Sequence, residues 1–149
     1  GAEENSFIIT RLAADSFEVN PVDPKFRIAA VAPQKYIRQY LSFYSAVSVE
    51  AFDNTYSAKD SLAQATPYAT VSVIDSGNRT TTVNLHYMPL NKRSKAQYDL
   101  KGQELTYDID RYYAWIDKSG QKDFAIVQYY VFGKLLRNYK DFYFKPGSK

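Results

Sequence analysis

Apolar and polar positions alternate with two different periods along this chain, and the switch between them predicts its elements. Phe7-Ile8-Ile9 is a short apolar run that reads as a first strand. Phe17-Glu18-Val19 alternates, and Asn20-Pro21-Val22-Asp23-Pro24 then breaks the chain. A third strand is expected over Phe26–Ala32. From Gln34 the period lengthens. Ile37, Tyr40, Leu41 and Tyr44 recur at i, i+3, i+4 and i+7, which is one stripe of a helix. Pro33 sits where a helix accepts proline at its first position, so an amphipathic helix is expected over about 33–45, its stripe laid on a sheet.

Period two returns at Val47, Val49 and Ala51, predicting another strand. Ser57-Ala58-Lys59-Asp60 resembles a capping box and opens a short helix at about Ala58–Ala65, stopped by Pro67. The clearest β signal follows. Val71 and Val73 alternate with Thr70 and Ser72, Ser76-Gly77-Asn78-Arg79 is turn chemistry, and Thr81, Val83, Leu85 and Tyr87 then share one face. Thr82, Asn84 and His86 take the other, so this is a hairpin with one buried and one wet face. Met88–Gln103 reads as a long loop carrying Lys92-Arg93-Ser94-Lys95. In Tyr107–Asp117, Tyr112, Ala114 and Ile116 fall on one face of a strand, and Arg111, Tyr113, Trp115 and Asp117 on the other. Asp123–Gln128 is apolar on both sides, hence an interior strand. Tyr129–Leu136 reads as a short helix, and Phe142-Tyr143-Phe144 as an apolar cluster docked on the body. The sum is an α+β chain: a disordered or extraneous N-terminus over 1–6, then one domain over 7–149 with a largely antiparallel twisted sheet, one amphipathic helix on a face and one or two short helices.

Composition narrows the chemistry. The 149 residues suit one domain able to bury a core without staples. There is no cysteine, which excludes disulfides, thiolate nucleophiles and Cys-based metal sites. One histidine, His86, excludes multi-His metal sites. The six glycines are too dispersed for a phosphate-binding loop. Net charge is +3, with acidic residues ahead in the first 89 and basic residues ahead after them, and the charges are interspersed. That argues against a nucleic-acid partner. No uncharged apolar run approaches the length of a membrane span.

Aromatic content is high, with 14 Tyr, 9 Phe and 1 Trp. Tyrosine pairs an apolar ring with a polar tip, which suits half-buried sheets and binding surfaces. Arg111, Tyr113 and Trp115 form the one-sided strip that fits a sugar, a peptide or a protein partner, unless another element covers it. The catalytic alternatives are His86 as a general base, or Asp99, Asp108 and Asp110 as an acid–base or cation-binding set. No nucleophile elbow accompanies His86, and no calcium-loop pattern follows the aspartates. Commoner roles are a structural histidine and a solvated strand start. No catalytic residue, metal or cofactor is expected.

The order of elements resembles a bacterial cell-envelope domain family of unknown function. It rests on a helix like Gln34–Ser45, a Val-x-Val-Glu-Ala-Phe strand, a Lys59-Asp60-Ser61-Leu62 helix, the Ala69–Tyr87 hairpin, Asp110-Arg111-Tyr112-Tyr113-Ala114 and Phe124-Ala125-Ile126-Val127-Gln128. Members usually follow an N-terminal membrane anchor, and some belong with ABC-transporter or gliding-type envelope systems. The resemblance implies a periplasmic address, attachment through an anchor preceding Gly1, no catalytic residues, and another envelope protein as partner. The expectation is therefore a non-catalytic protein-interaction module, with a glycan- or peptide-binding domain as the alternative and an enzyme third.

Overall fold

The computed structural model describes residues 3–144. The fold is α+β, with a five-stranded antiparallel sheet, a separate two-stranded ribbon and a few short helices. The chain divides into two compact units, residues 3–47 with 134–144, and residues 48–133.

In the first unit, β1 (Phe7–Ala13) pairs antiparallel with β2 (Ser16–Pro21). Helix α1 (Gln34–Ser42) continues as a 3-10 turn through Ala46. The predicted stripe is realised, since Ile37 and Tyr40 are buried in it. Helix α1 packs beside β2, so within its unit the stripe lies on the ribbon. Gln34 fixes the join, its side chain accepting from the Phe17 N–H at 3.0 Å and donating to the Phe17 carbonyl at 2.7 Å. Pro33 caps the helix from outside. The strand expected at Phe26–Ala32 does not form. Pro24–Phe26 is a 3-10 turn that Asp23 caps by accepting from the Lys25 N–H, and the chain then runs irregularly to Pro33. With Pro24 opening this segment and Pro33 closing it, turn chemistry outweighs the apolar run.

The core of this unit is aromatic. Phe142 is fully buried, with Phe7 at 4.7 Å and Tyr40 at 5.3 Å, both edge-on. The expected docking of Phe142-Tyr143-Phe144 is thus led by Phe142. Tyr40 donates to the Leu135 carbonyl, and its hydroxyl also bonds Tyr44. Burial pushes the Tyr40 phenol far above its ordinary range.

The second unit holds β3 (Ala51–Phe52), α2 (Lys59–Gln64), β4 (Ala69–Ile74), β5 (Thr80–Pro89), β6 (Tyr107–Lys118), β7 (Gln121–Gln128) and α3 (Tyr129–Phe132). The strand order is β3-β7-β6-β5-β4, every neighbour antiparallel. The strand expected from Val47 shrinks to two residues. Asn54 does the work of further pairing there, accepting from the Phe124 N–H at 2.7 Å and donating to Asp123 at 3.1 Å. The Ser57 capping box is also absent, because Ala58 occupies the N-cap without a side-chain bond.

Register sorts the side chains. One face, here called face A, carries Val83, Leu85 and Tyr87 of β5, Tyr112, Ala114 and Ile116 of β6, and Ala125 and Val127 of β7. Face B carries Asn84, His86, Tyr113, Trp115, Phe124 and Ile126. The β4–β5 hairpin turns through Asn78 at φ 58°, the left-handed geometry that asparagine tolerates.

One irregularity matters for function. Tyr87 pairs with Tyr112, yet Pro89, two residues on, pairs with Tyr107, five residues back. Three extra residues of β6 therefore bulge between these pairs. Without the bulge, Tyr107 and Tyr112 are an odd number apart and point to opposite faces. With it, both stand on face A.

Candidate functional site

Arg111, Tyr113 and Trp115 do share face B, as alternation predicts. Each already has a partner within the fold. The Tyr56 ring, from the segment before α2, stacks on Tyr113 at 4.8 Å and on Phe124 at 5.4 Å with only 9° between planes. The Trp115 indole N–H donates to the Lys59 carbonyl at 2.8 Å, and its ring meets Phe124 edge-on. Burial, with the neighbouring Tyr56 hydroxyl, pushes the Tyr113 phenol up to about 12. The strip is thus the floor beneath the Tyr56 segment and α2.

Arg111 is tied at its guanidinium. Its Nε and Nη2 donate to Asp108 Oδ2 at 3.1 and 3.0 Å. The same oxygen accepts from the Ser94 hydroxyl at 2.8 Å, and Asp108 Oδ1 accepts from the Asp110 N–H at 2.8 Å. The Asp108 side chain is 2% exposed and that of Arg111 17%. Burial pushes the Asp108 carboxyl up, but the Asp110 amide, the Ser94 hydroxyl and Arg111 together hold it below the ordinary aspartate value. This cluster pins the 91–97 loop to the β6 bulge, and Ser94 of the basic run is its buried end. Lys92, Arg93 and Lys95 are exposed.

The catalytic candidates do not converge. Asp108 serves the cluster just described. Asp99 accepts from the Lys101 and Gln103 amides and closes its own turn. Among the described residues no three His, Asp or Glu side chains gather as a metal site. His86 is buried, not on a wet surface as the hairpin pattern suggested. It lies opposite Tyr113 across the ladder, on the face that the Tyr56 segment occupies. Burial lowers its pKa, so the ring is neutral at pH 7. Among the described residues no carboxylate or hydroxyl bonds that ring, which leaves it without the orienting partner a general base needs.

The other face carries the feature that alternation alone did not single out. Tyr68, Tyr87, Tyr107, Tyr112 and Tyr129 form a continuous tyrosine patch on face A. Ring centroids are 4.5 Å apart for Tyr68–Tyr87, 4.8 Å for Tyr87–Tyr107, 5.9 Å for Tyr68–Tyr112 and 6.3 Å for Tyr112–Tyr129. Tyr112 is its buried centre at 7% exposure, and the other four are 39–52% exposed. Three elements of sequence build it. The β6 bulge returns Tyr107 to face A. Pro67 ends the α2 segment and delivers Tyr68 to the head of β4, where its amide donates to the Leu85 carbonyl at 2.7 Å. Gly133 lies against the Tyr129 ring so closely that a Cβ there would meet ring carbons at 2.8–3.0 Å.

Burial and the surrounding phenols push Tyr112 up to about 12. Burial, a hydrogen bond to Tyr68 and the neighbouring phenols also raise Tyr87. Both shifts favour the protonated phenol, so Tyr87 and Tyr112 present apolar rings with hydroxyl tips. Tyr130 and Ile109 of the same unit are also exposed.

In the first unit, a groove of about 340 Å³ is lined by residues including Phe17, Val19, Ile28, Val31 and Ile37. Three of its polar members are already engaged, Gln34 with the Phe17 backbone and Arg27 with Asn20. No helix among the described residues is long and apolar enough to cross a membrane. Comparison of the chain with protein-family models, curated proteins and solved structures finds no match.

Proposed function

We propose that this chain is a non-catalytic binding module, that its contact surface is the tyrosine patch of face A, and that its ligand is another protein. The carrying observation is the patch itself: four half-exposed tyrosines around a buried fifth. Tyrosine is enriched at protein interfaces because it offers large contact area at low entropic cost. A folded protein has no internal reason to leave so many contiguous rings half in water.

The stacking favours a protein over a sugar. A sugar needs a free ring face. Tyr87 has Tyr68 at 4.5 Å and Tyr107 at 4.8 Å, so its faces are already taken. At its middle the patch therefore offers ring edge and hydroxyl, which suit a protein surface with mixed apolar and carbonyl groups. The resemblance to envelope domains supplies the setting of this reading, a partner in the same envelope assembly on the periplasmic side of the membrane.

Chemical crosslinking of the full-length protein in its own cells, read by mass spectrometry, tests the reading. The wild-type chain and a Tyr87→Ser, Tyr129→Ser double variant are compared at equal abundance. Loss of a reproducible protein crosslink in the variant supports the reading. An unchanged crosslink set contradicts it. Thermal stabilisation by soluble oligosaccharides that the same variant abolishes would transfer the patch to a glycan.

A further inference from the structure

A second surface of the large unit has the chemistry of a pairing edge, and we infer that β4 is where two copies of this chain join, β4 against β4 in antiparallel register, as one continuous ten-stranded sheet. The alternation of the hairpin ladder carries the inference. Its end is fixed by the Asp75 N–H, which donates to the Arg79 carbonyl at 3.0 Å. Counting back from that bonded pair, Val73, Val71 and Ala69 turn their amides and carbonyls toward β5. Thr70, Ser72 and Ile74 therefore turn theirs outward, where no strand follows β4 in the sheet.

Within its six residues, Ala69-Thr70-Val71-Ser72-Val73-Ile74, this edge lacks the charge, proline and bulge by which natural edges are kept apart. Its register is locked by Thr70 donating to Asn84 at 2.8 Å and by the Ser72–Thr82 hydroxyl bond at 2.9 Å. Ile74 is 69% exposed. The other edges are blunted. Strand β3 has two residues, and β1 carries Arg11 and a register shift.

A second copy fits this strand better than an arbitrary peptide because the strand is self-complementary. A two-fold axis through Ser72 sets Ser72 against Ser72, and Thr70 against Ile74, in both directions. All three outward amides then meet outward carbonyls. Val71 falls opposite Val73 on face A, a pair of β-branched side chains that stabilises adjacent strands. Asp75 falls opposite Ala69, so no like charges meet. The axis stands normal to the sheet, so both copies present face A on the same side. Two tyrosine patches then act together, and binding gains from bivalency. That last consequence alone rests on the reading of the patch.

Light scattering and sedimentation of the chain from micromolar to millimolar concentration test the pairing, with hydrogen exchange as the site-resolved readout. The expected result is a concentration-dependent rise to twice the mass of one chain. Slowed exchange at Thr70, Ser72 and Ile74 accompanies it, while Val71 and Val73 exchange equally at all concentrations. Ser72→Pro removes an outward amide and Ser72→Lys puts a charge on the edge; both leave the backbone bonds of the β4–β5 ladder in place and give up the exposed Ser72–Thr82 hydroxyl bond. Each should return the chain to a monomer, and the lysine variant should stay folded, with a melting temperature that no longer rises with concentration. A chain that stays monomeric throughout, or a dimer that survives Ser72→Lys, overturns the inference. Neither readout depends on a partner at the tyrosine patch.

Discussion

Arg111 decides between two accounts of the predicted strip, and its energetics can be worked from the structure. If it is a ligand-binding arginine, removing it costs little stability. If it is the counter-charge of Asp108, removing it leaves a carboxylate that is 2% exposed without its cation. Two bonds from Arg111 disappear, and only the Ser94 hydroxyl and the Asp110 amide remain. Breaking a buried pair by removing one partner costs about 3–5 kcal/mol. The Arg111 side chain keeps 17% exposure, so water re-enters, and the lower end of about 3 kcal/mol applies. For a unit of this size that lowers the melting temperature by roughly 12–24 °C. Asp108→Ala should cost a similar amount, because it orphans the buried Ser94 hydroxyl and the Asp110 amide as well as Arg111. The two losses should not add, and a double-mutant cycle should return a coupling above about 1 kcal/mol. Urea unfolding followed by tryptophan fluorescence is the assay. Trp115 is the only tryptophan and lies in the same unit, on β6. A cost below about 0.5 kcal/mol for Arg111→Ala, typical of an exposed ion pair, would refute the structural role and return Arg111 to the list of ligand-binding residues.

Four further outcomes are expected. The Asp108 carboxyl titrates lower folded than unfolded, so its stabilisation is full above the ordinary aspartate value and fades as pH falls. The stability gap between wild type and Asp108→Asn should therefore be constant from pH 7 to about 5 and close below about 4, and a gap independent of pH to pH 2 would count against it. Tyr112 and Tyr113 should ionise near pH 12, and Tyr112→Phe should remove one phenolate from that end of an ultraviolet titration. Phe142→Ala empties the aromatic core of the first unit and should cost about 3–5 kcal/mol by calorimetry. Gly133→Ala pushes the Tyr129 ring off its seat and should weaken partner crosslinking while leaving the melting temperature nearly unchanged.

Local periodicity made most of the elements legible. Helix α1, the β4–β5 hairpin and the faces of β6 follow from it because each depends only on neighbours in sequence. The strand expected at Phe26–Ala32 failed where two prolines competed with an apolar run. The Val47 strand failed because β7 ends at Gln128, two residues past Ile126, the partner of Ala51, and turns there into α3. Function was harder to read for a physical reason. Alternation placed Arg111, Tyr113 and Trp115 on one face, but what engages Tyr113 and Trp115 is Tyr56 and Lys59, far back in the chain, while Asp108 holds Arg111. The tyrosine patch needs the register of three strands, a bulge and a helix start at once. Its partial signal was Tyr87 with Leu85 and Tyr112 with Ala114, large polar-tipped rings ending two apolar faces. Tyr107 was invisible to alternation because the bulge reverses its side.

On the proposed function, the tyrosine patch of face A meets a partner protein and face B does not. Site-specific photo-crosslinking measures this most directly. Benzoylphenylalanine replaces Tyr107 or Tyr129 on face A, and Thr82 on face B, in the full-length protein in its own cells. A discrete protein adduct is expected at Tyr107 and Tyr129 and none at Thr82. Adducts at Thr82 alone, or the same adducts on both faces, would contradict it.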